Sequence, residues 1–166
     1  MKKSTLTNIA AVLADVLFIG VTLFLFKYHS GLDTGMEIIN LNNSEAKRIA
    51  TTLFFSKLES VGKISLALLG VLWAFIIYTG NRINIRTMSQ INLFIVTNLC
   101  LLFSFGSYFW GYDFLLSRIF YHSTIDLEAP IVKFYSIAQL VYFISGIFWF
   151  VITILLCHEK NLLQRR

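Results

Sequence analysis

The residue best placed to do chemistry in this sequence is Asp15, a lone carboxyl in the apolar stretch of residues 6–26. If that stretch crosses a membrane, the carboxyl falls near the bilayer centre. A charge there costs about 2.5–3.5 kcal/mol on insertion scales, so such a residue faces a bundle interior and takes a partner. Counting inward from the ends of the other apolar stretches brings Asn98 and Ser145 to a similar height, with Gly70 and Gly146 at about the same level. We therefore expect a mid-membrane layer of Asp15, Asn98 and Ser145. Its polar groups would bond across helices, and Gly70, Ala74 and Gly146 would let the helices approach closely. Three roles are open to Asp15: a structural interhelical bond, a carboxyl coupled to a proton or cation, and a contact with another membrane protein.

Other chemistry is thinly represented. His29, Asp33 and Glu37 recur every four residues, and His122 is followed by Asp126 and Glu128. These residue types ligate divalent metals, but Gly31 and Gly35 interrupt the first set, so no metal site is expected. Cys100 and Cys157 differ in depth by about half a bilayer and cannot pair within one chain. There is no Cys-x-x-Cys, catalytic triad, phosphate loop, HExxH or dinucleotide fingerprint. The expectation is a protein with no catalytic residue and no cofactor.

The elements that must position Asp15 follow from composition. The chain has 166 residues, 57% hydrophobic and 14% charged, with mean hydropathy +0.71. Soluble domains run at roughly 45–50% apolar and about 25% charged. So few charges argue against a water-soluble globule, a disordered tail or a nucleic-acid-binding domain, despite a pI near 9.3. Four segments reach the length of about 20 residues that a membrane helix needs: 6–26, 61–79, 91–110 and 134–157. Each is apolar on all faces, and none alternates as a barrel strand does. The fold expected is all-α, a single membrane domain built as a bundle of four transmembrane helices.

Within the first long connection, 27–60, Asn43-Ser44-Glu45 reads as a helix cap. Ala46, Ile49, Ala50, Leu53, Phe54 and Val61 then fall at helical spacing, opposite Lys47, Arg48, Thr51, Thr52, Ser56 and Glu59. This predicts an extra amphipathic helix, lying on the membrane surface or leading straight into the second span. The connection 111–133 holds a similar short stretch.

Orientation comes from Lys and Arg. Seven fall on each side, but Lys2, Lys3, Arg82, Arg86, Lys160, Arg165 and Arg166 crowd into about 25 residues, against about 60 for the others. The dense side is read as cytoplasm, which holds both termini, the loop 80–90 and the tail 158–166. The first span is read as uncleaved, because no small-x-small site follows it.

In topology, the Arg82/Arg86 hairpin and the basic tail from Lys160 to Arg166 resemble immunity proteins against colicin A-type toxins, and equally uncharacterised four-span inner-membrane proteins of enterobacteria. The first likeness implies that the membrane helices recognise a toxin's helical hairpin in the bilayer. Asp15 is similar in position to the carboxylate in the first span of small multidrug resistance transporters. Those carry a glutamate there and are shorter, with tight loops. The expected function is that of a non-enzymatic bacterial inner-membrane protein that binds another membrane protein, in an immunity or accessory role. The alternative is a small transporter that couples a proton at Asp15. The partners expected are the lipid bilayer and another membrane protein or a second copy, with no nucleic acid.

The orientation makes a direct prediction. A phosphatase fused after residue 40 should be active, and one fused after residue 85 inactive. The opposite pattern would reverse the topology.

Overall fold

A computed structural model describes residues 3–30, 44–78, 87–122 and 130–158. These form four helices: α1 (Lys3–Ser30), α2 (Ser44–Tyr78), α3 (Met88–His122) and α4 (Pro130–His158). No strand occurs among the described residues. Three helices contain stretches long and apolar enough to cross a membrane: Thr5–His29, Met88–Ser117 and Pro130–Leu156. Each exceeds the expected span at both ends or at one. The start of α4 suits its residue, since proline tolerates the first helical turn, where its missing N–H is not needed. At the start of α3, the Thr87 carbonyl accepts from the Gln90 and Ile91 amides at 2.9 and 3.2 Å.

Paired residues fix the directions. Asn8 meets Ser89, so α1 and α3 run parallel with their N-termini at one end. Thr97 meets Thr153 and Ser104 meets Gln139, so α3 and α4 are antiparallel. Ser65 meets Ser104 and Trp73 meets Asn98, so α2 also opposes α3. The bundle is therefore up-down-up-down. Its cross-section is not a square, however. Helices α3 and α4 touch each other and both outer helices, whereas α1 and α2 share no contact among the described residues. Consecutive elements are usually neighbours. Here the 13 residues 31–43 join two helices on opposite sides of the α3/α4 pair.

The amphipathic segment is not a separate element. It is the first half of α2, which runs unbroken for 35 residues, about 52 Å at 1.5 Å per residue. Helix α3 is equally long. Both are longer than a hydrocarbon core of about 30 Å is thick, and the N-terminal half of α2 packs on the C-terminal half of α3. Phe55 meets the edge of Tyr112 with centroids 5.2 Å apart. Leu58 and Leu115 are buried there. The buried line of α2 is turned away from the apolar strip at 46–61. Ile49 and Leu53 stand 52% and 66% exposed, while Leu58, Gly62, Ser65, Leu69 and Leu72 form the buried line. That line repeats at steps of three and four residues, the spacing of a helix seam.

The small residues sort in the same way. Gly146 is buried, and a Cβ there would lie 2.7 Å from Leu101 Cδ2. Gly70 has open space where its Cβ would be, and both it and Ala74 are exposed. The expectation that Gly70 and Ala74 pack helices is thus corrected: they lie on the side of α2 turned away from α3. Overpacking a close contact costs typically about 1–3 kcal/mol. Gly146→Val should lower unfolding stability in detergent by that amount, while Gly70→Val should leave it unchanged. Equal effects would contradict this packing.

Candidate functional site: the polar seams around α3

Serine and threonine enter these helices by a common device. Thr22, Ser65, Thr97 and Ser107 each donate a hydroxyl proton to the carbonyl four residues back, at 2.8–2.9 Å: Phe18, Val61, Leu93 and Phe103 respectively. This satisfies the donor within the helix and leaves the oxygen to accept across a helix interface. Thr22 then meets the Tyr142 hydroxyl at 3.0 Å, joining α1 to α4. Thr97 meets Thr153 at 3.2 Å, joining α3 to α4.

The deepest network lies where α2, α3 and α4 converge. Ser65 and Ser104 are fully buried with hydroxyls 2.9 Å apart. Ser104 donates to the Gln139 carbonyl at 3.1 Å, and the Gln139 Nε2 donates to the Leu58 carbonyl at 2.8 Å. The two serines have one hydroxyl proton each for three contacts: with the Val61 carbonyl, with each other and with the Gln139 carbonyl. Among the described residues, every buried side-chain nitrogen or oxygen has a hydrogen-bond partner.

Asp15 does not join Asn98. Its Oδ2 accepts from Asn92 Nδ2 at 2.5 Å, in the seam between α1 and α3. One step nearer the N-terminal end, Ser89 donates to Asn8 Oδ1 at 2.5 Å in the same seam. Asn98 faces the other way. Its Oδ1 accepts from Trp73 Nε1 at 3.0 Å, and its Nδ2 donates to the Phe94 carbonyl at 2.8 Å. The reason is angular. At 3.6 residues per turn, Thr97 and Asn98 stand about 140° and about 240° round the helix from Asn92. The three residues therefore address α4, α2 and α1 separately. Counting depth gave Asp15 and Asn98 a common height, but height does not place two side chains on one face. Ser145 stands apart from both, lining a groove between α1 and α4. The single layer of Asp15, Asn98 and Ser145 is thus replaced by separate seams.

Asn92, Gln139 and the Ser65–Ser104 pair escaped the sequence reading. Asn92 lies one turn inside α3, at the second residue of the expected span 91–110. Gln139 is an amide in an uncharged stretch, and that was its available signal. Of the proposed metal ligands, His29 packs its ring against Phe134, centroids 4.9 Å apart. Asp33, Glu37, Asp126 and Glu128 fall outside the described residues, as do Arg82, Arg86 and the tail. No group of three potential ligands gathers among the described residues.

Interhelical hydrogen bonds in membranes average about 0.6 kcal/mol, with a maximum of about 1.7. A double-mutant cycle of Asp15→Ala with Asn92→Ala should show coupling in that range. The cycle of Asp15→Ala with Asn98→Ala should be additive. Coupling to Asn98 instead would restore the single-layer arrangement.

No protein-family profile, curated protein or solved structure matches the chain.

Proposed function

We propose that this is a non-enzymatic four-span protein of the bacterial inner membrane, with both termini in the cytoplasm, that works by binding another membrane protein. The fourth span is the stretch 61–79, whose residues 61–78 lie in α2. Its support is the outward array of Ile64, Leu66, Val71 and Trp73, all exposed. In water they would form a large apolar patch of the kind soluble monomers rarely carry.

One observation carries the binding role. Among the described residues the buried polar side-chain atoms all have hydrogen-bond partners, and Asp15 is engaged with Asn92. That use of the carboxyl fits an interhelical fastener. The outer surface is left to apolar side chains. Among α1, α3 and α4 it is α1 that contributes most to it, since only 17% of its most apolar stretch is buried, against 33% for α4 and 44% for α3. A helix held on one side, with Val12, Val16, Leu23 and Phe24 exposed, offers a face to another transmembrane helix. An immunity or accessory protein would use such a face. The competing reading, a transporter that couples a proton at Asp15, draws on the carboxyl being only partly buried.

A photo-crosslinking residue at Val16 or Leu23 should give a discrete adduct with a second membrane protein, reproducible with purified components. Asp15→Asn should leave expression and that adduct intact. Loss of a proton-driven transport phenotype in Asp15→Asn, with no adduct from either position, would decide for the transporter.

A further inference from the structure

A groove of about 210 Å³ opens between α1 and α4, with Cys100 of α3 at its base. Its floor is completed by Tyr142 and Trp149, both buried. Its rim is formed by Leu17, Ile144 and Phe148, all exposed on the outer surface of the bundle. Depth is settled by the spans themselves: Leu17, Cys100 and Tyr142 are each the thirteenth residue of their membrane-crossing stretch. At 1.5 Å per residue that is about 18 Å from the stretch's end, close to the middle of a hydrocarbon core of about 30 Å.

The lining says what kind of molecule fits. It is carbon apart from the Cys100 thiol, the Ser145 hydroxyl, the Trp149 indole N–H and the Tyr142 hydroxyl, and the last is engaged by Thr22. A headgroup or a polar solute would find too few partners there. An apolar cavity of about 150 Å³ stays dry and takes a benzene ring, so this larger groove has room for a run of methylenes. The hydrophobic effect gives no preference for it over bulk lipid, since lipid tails are as apolar as leucine. The gain comes from filling a void, whose wall atoms otherwise lack van der Waals partners on one side. The rim is continuous with the lipid-facing surfaces of α1 and α4, so acyl chains pass its mouth at all times.

We infer that this groove is a binding site for the acyl chain of a membrane lipid, seated between α1 and α4 over Cys100 and Trp149. The inference rests on the membrane setting proposed above and on the groove, and it does not require the partner.

Trp149 is the natural reporter, because it lines the groove yet is only 3% exposed to the surroundings. With Trp73→Phe and Trp110→Phe it becomes the sole tryptophan. The purified full chain is reconstituted in phosphatidylcholine vesicles, with or without bromine at mid-chain, which quenches indole on contact. The expected result is quenching of Trp149 by the brominated chains. Ser145→Leu and, from the other wall, Val21→Phe fill the groove and should each abolish most of that quenching, with helicity by circular dichroism unchanged. Emission insensitive to bromine would overturn the inference, as would a second copy or a partner helix closing the mouth, which gives the same insensitivity. Quenching that survives both groove-filling variants would also overturn it, since the bromine would then reach Trp149 by another route.

Discussion

Inside hydrocarbon a polar group without a hydrogen-bond partner costs several kcal/mol, and no water is there to relieve it. Helix α3 carries Asn92, Thr97, Asn98 and Ser104 through the bundle, and each must end against something polar. Their bearings round the helix differ, so α3 needs polar neighbours on several sides. Asp15 supplies one from α1, Thr153 one from α4, and Trp73 and Ser65 one each from α2. The central place of α3 follows from this requirement, and with it the separation of α1 from α2.

The arrangement also divides labour between the two outer helices. Helix α2 is held along its length, from Phe55 against Tyr112, through Gly62 beside Tyr108 and the Ser65–Ser104 pair, to Trp73 on Asn98. Gly62 is needed there, because a Cβ would come 2.9 Å from the Tyr108 ring. Helix α1 has a different attachment. Ala11 and Ala14 let it lie close on α3 and α4 at the N-terminal end, while larger side chains, Phe18 and Leu25, carry the other half. The groove opens beside Phe18, where the close contact of the alanines gives way to the larger side chains. A half-open site between α1 and α4 is thus a consequence of how α1 is packed.

How far the site was legible in the sequence is clear from Asp15. Its chemistry was legible: a carboxyl in an apolar stretch must be paired, and here it is. Its partner was not, because depth counting works along the helix axis and says nothing about bearing. Asn98 had the right height and the wrong face. Gly70 and Gly146 show the same limit. They carry the same sequence signal, and one is buried against Leu101 while the other faces outward. The amphipathic pattern at 46–61 points to a face for the membrane surface or to a lead-in to the second span. The structure makes the segment the first half of α2 and buries Leu58, part of a turn away from the exposed Ile49 and Leu53.

By itself the sequence determined the helices and the stretches of α1, α3 and α4 that are long and apolar enough to cross a membrane. Hydropathy and length are properties of a segment and need no neighbour to be decided. It also determined that Asp15 had to be paired, since desolvation penalises a lone carboxyl wherever the helix sits. The tertiary structure alone decided which partner it took, which glycine became a contact, and which outer helix was left with an open flank. Those depend on the rotation of each helix about its own axis, and in a segment apolar on every side that rotation is set by the few polar groups and by the neighbours they find.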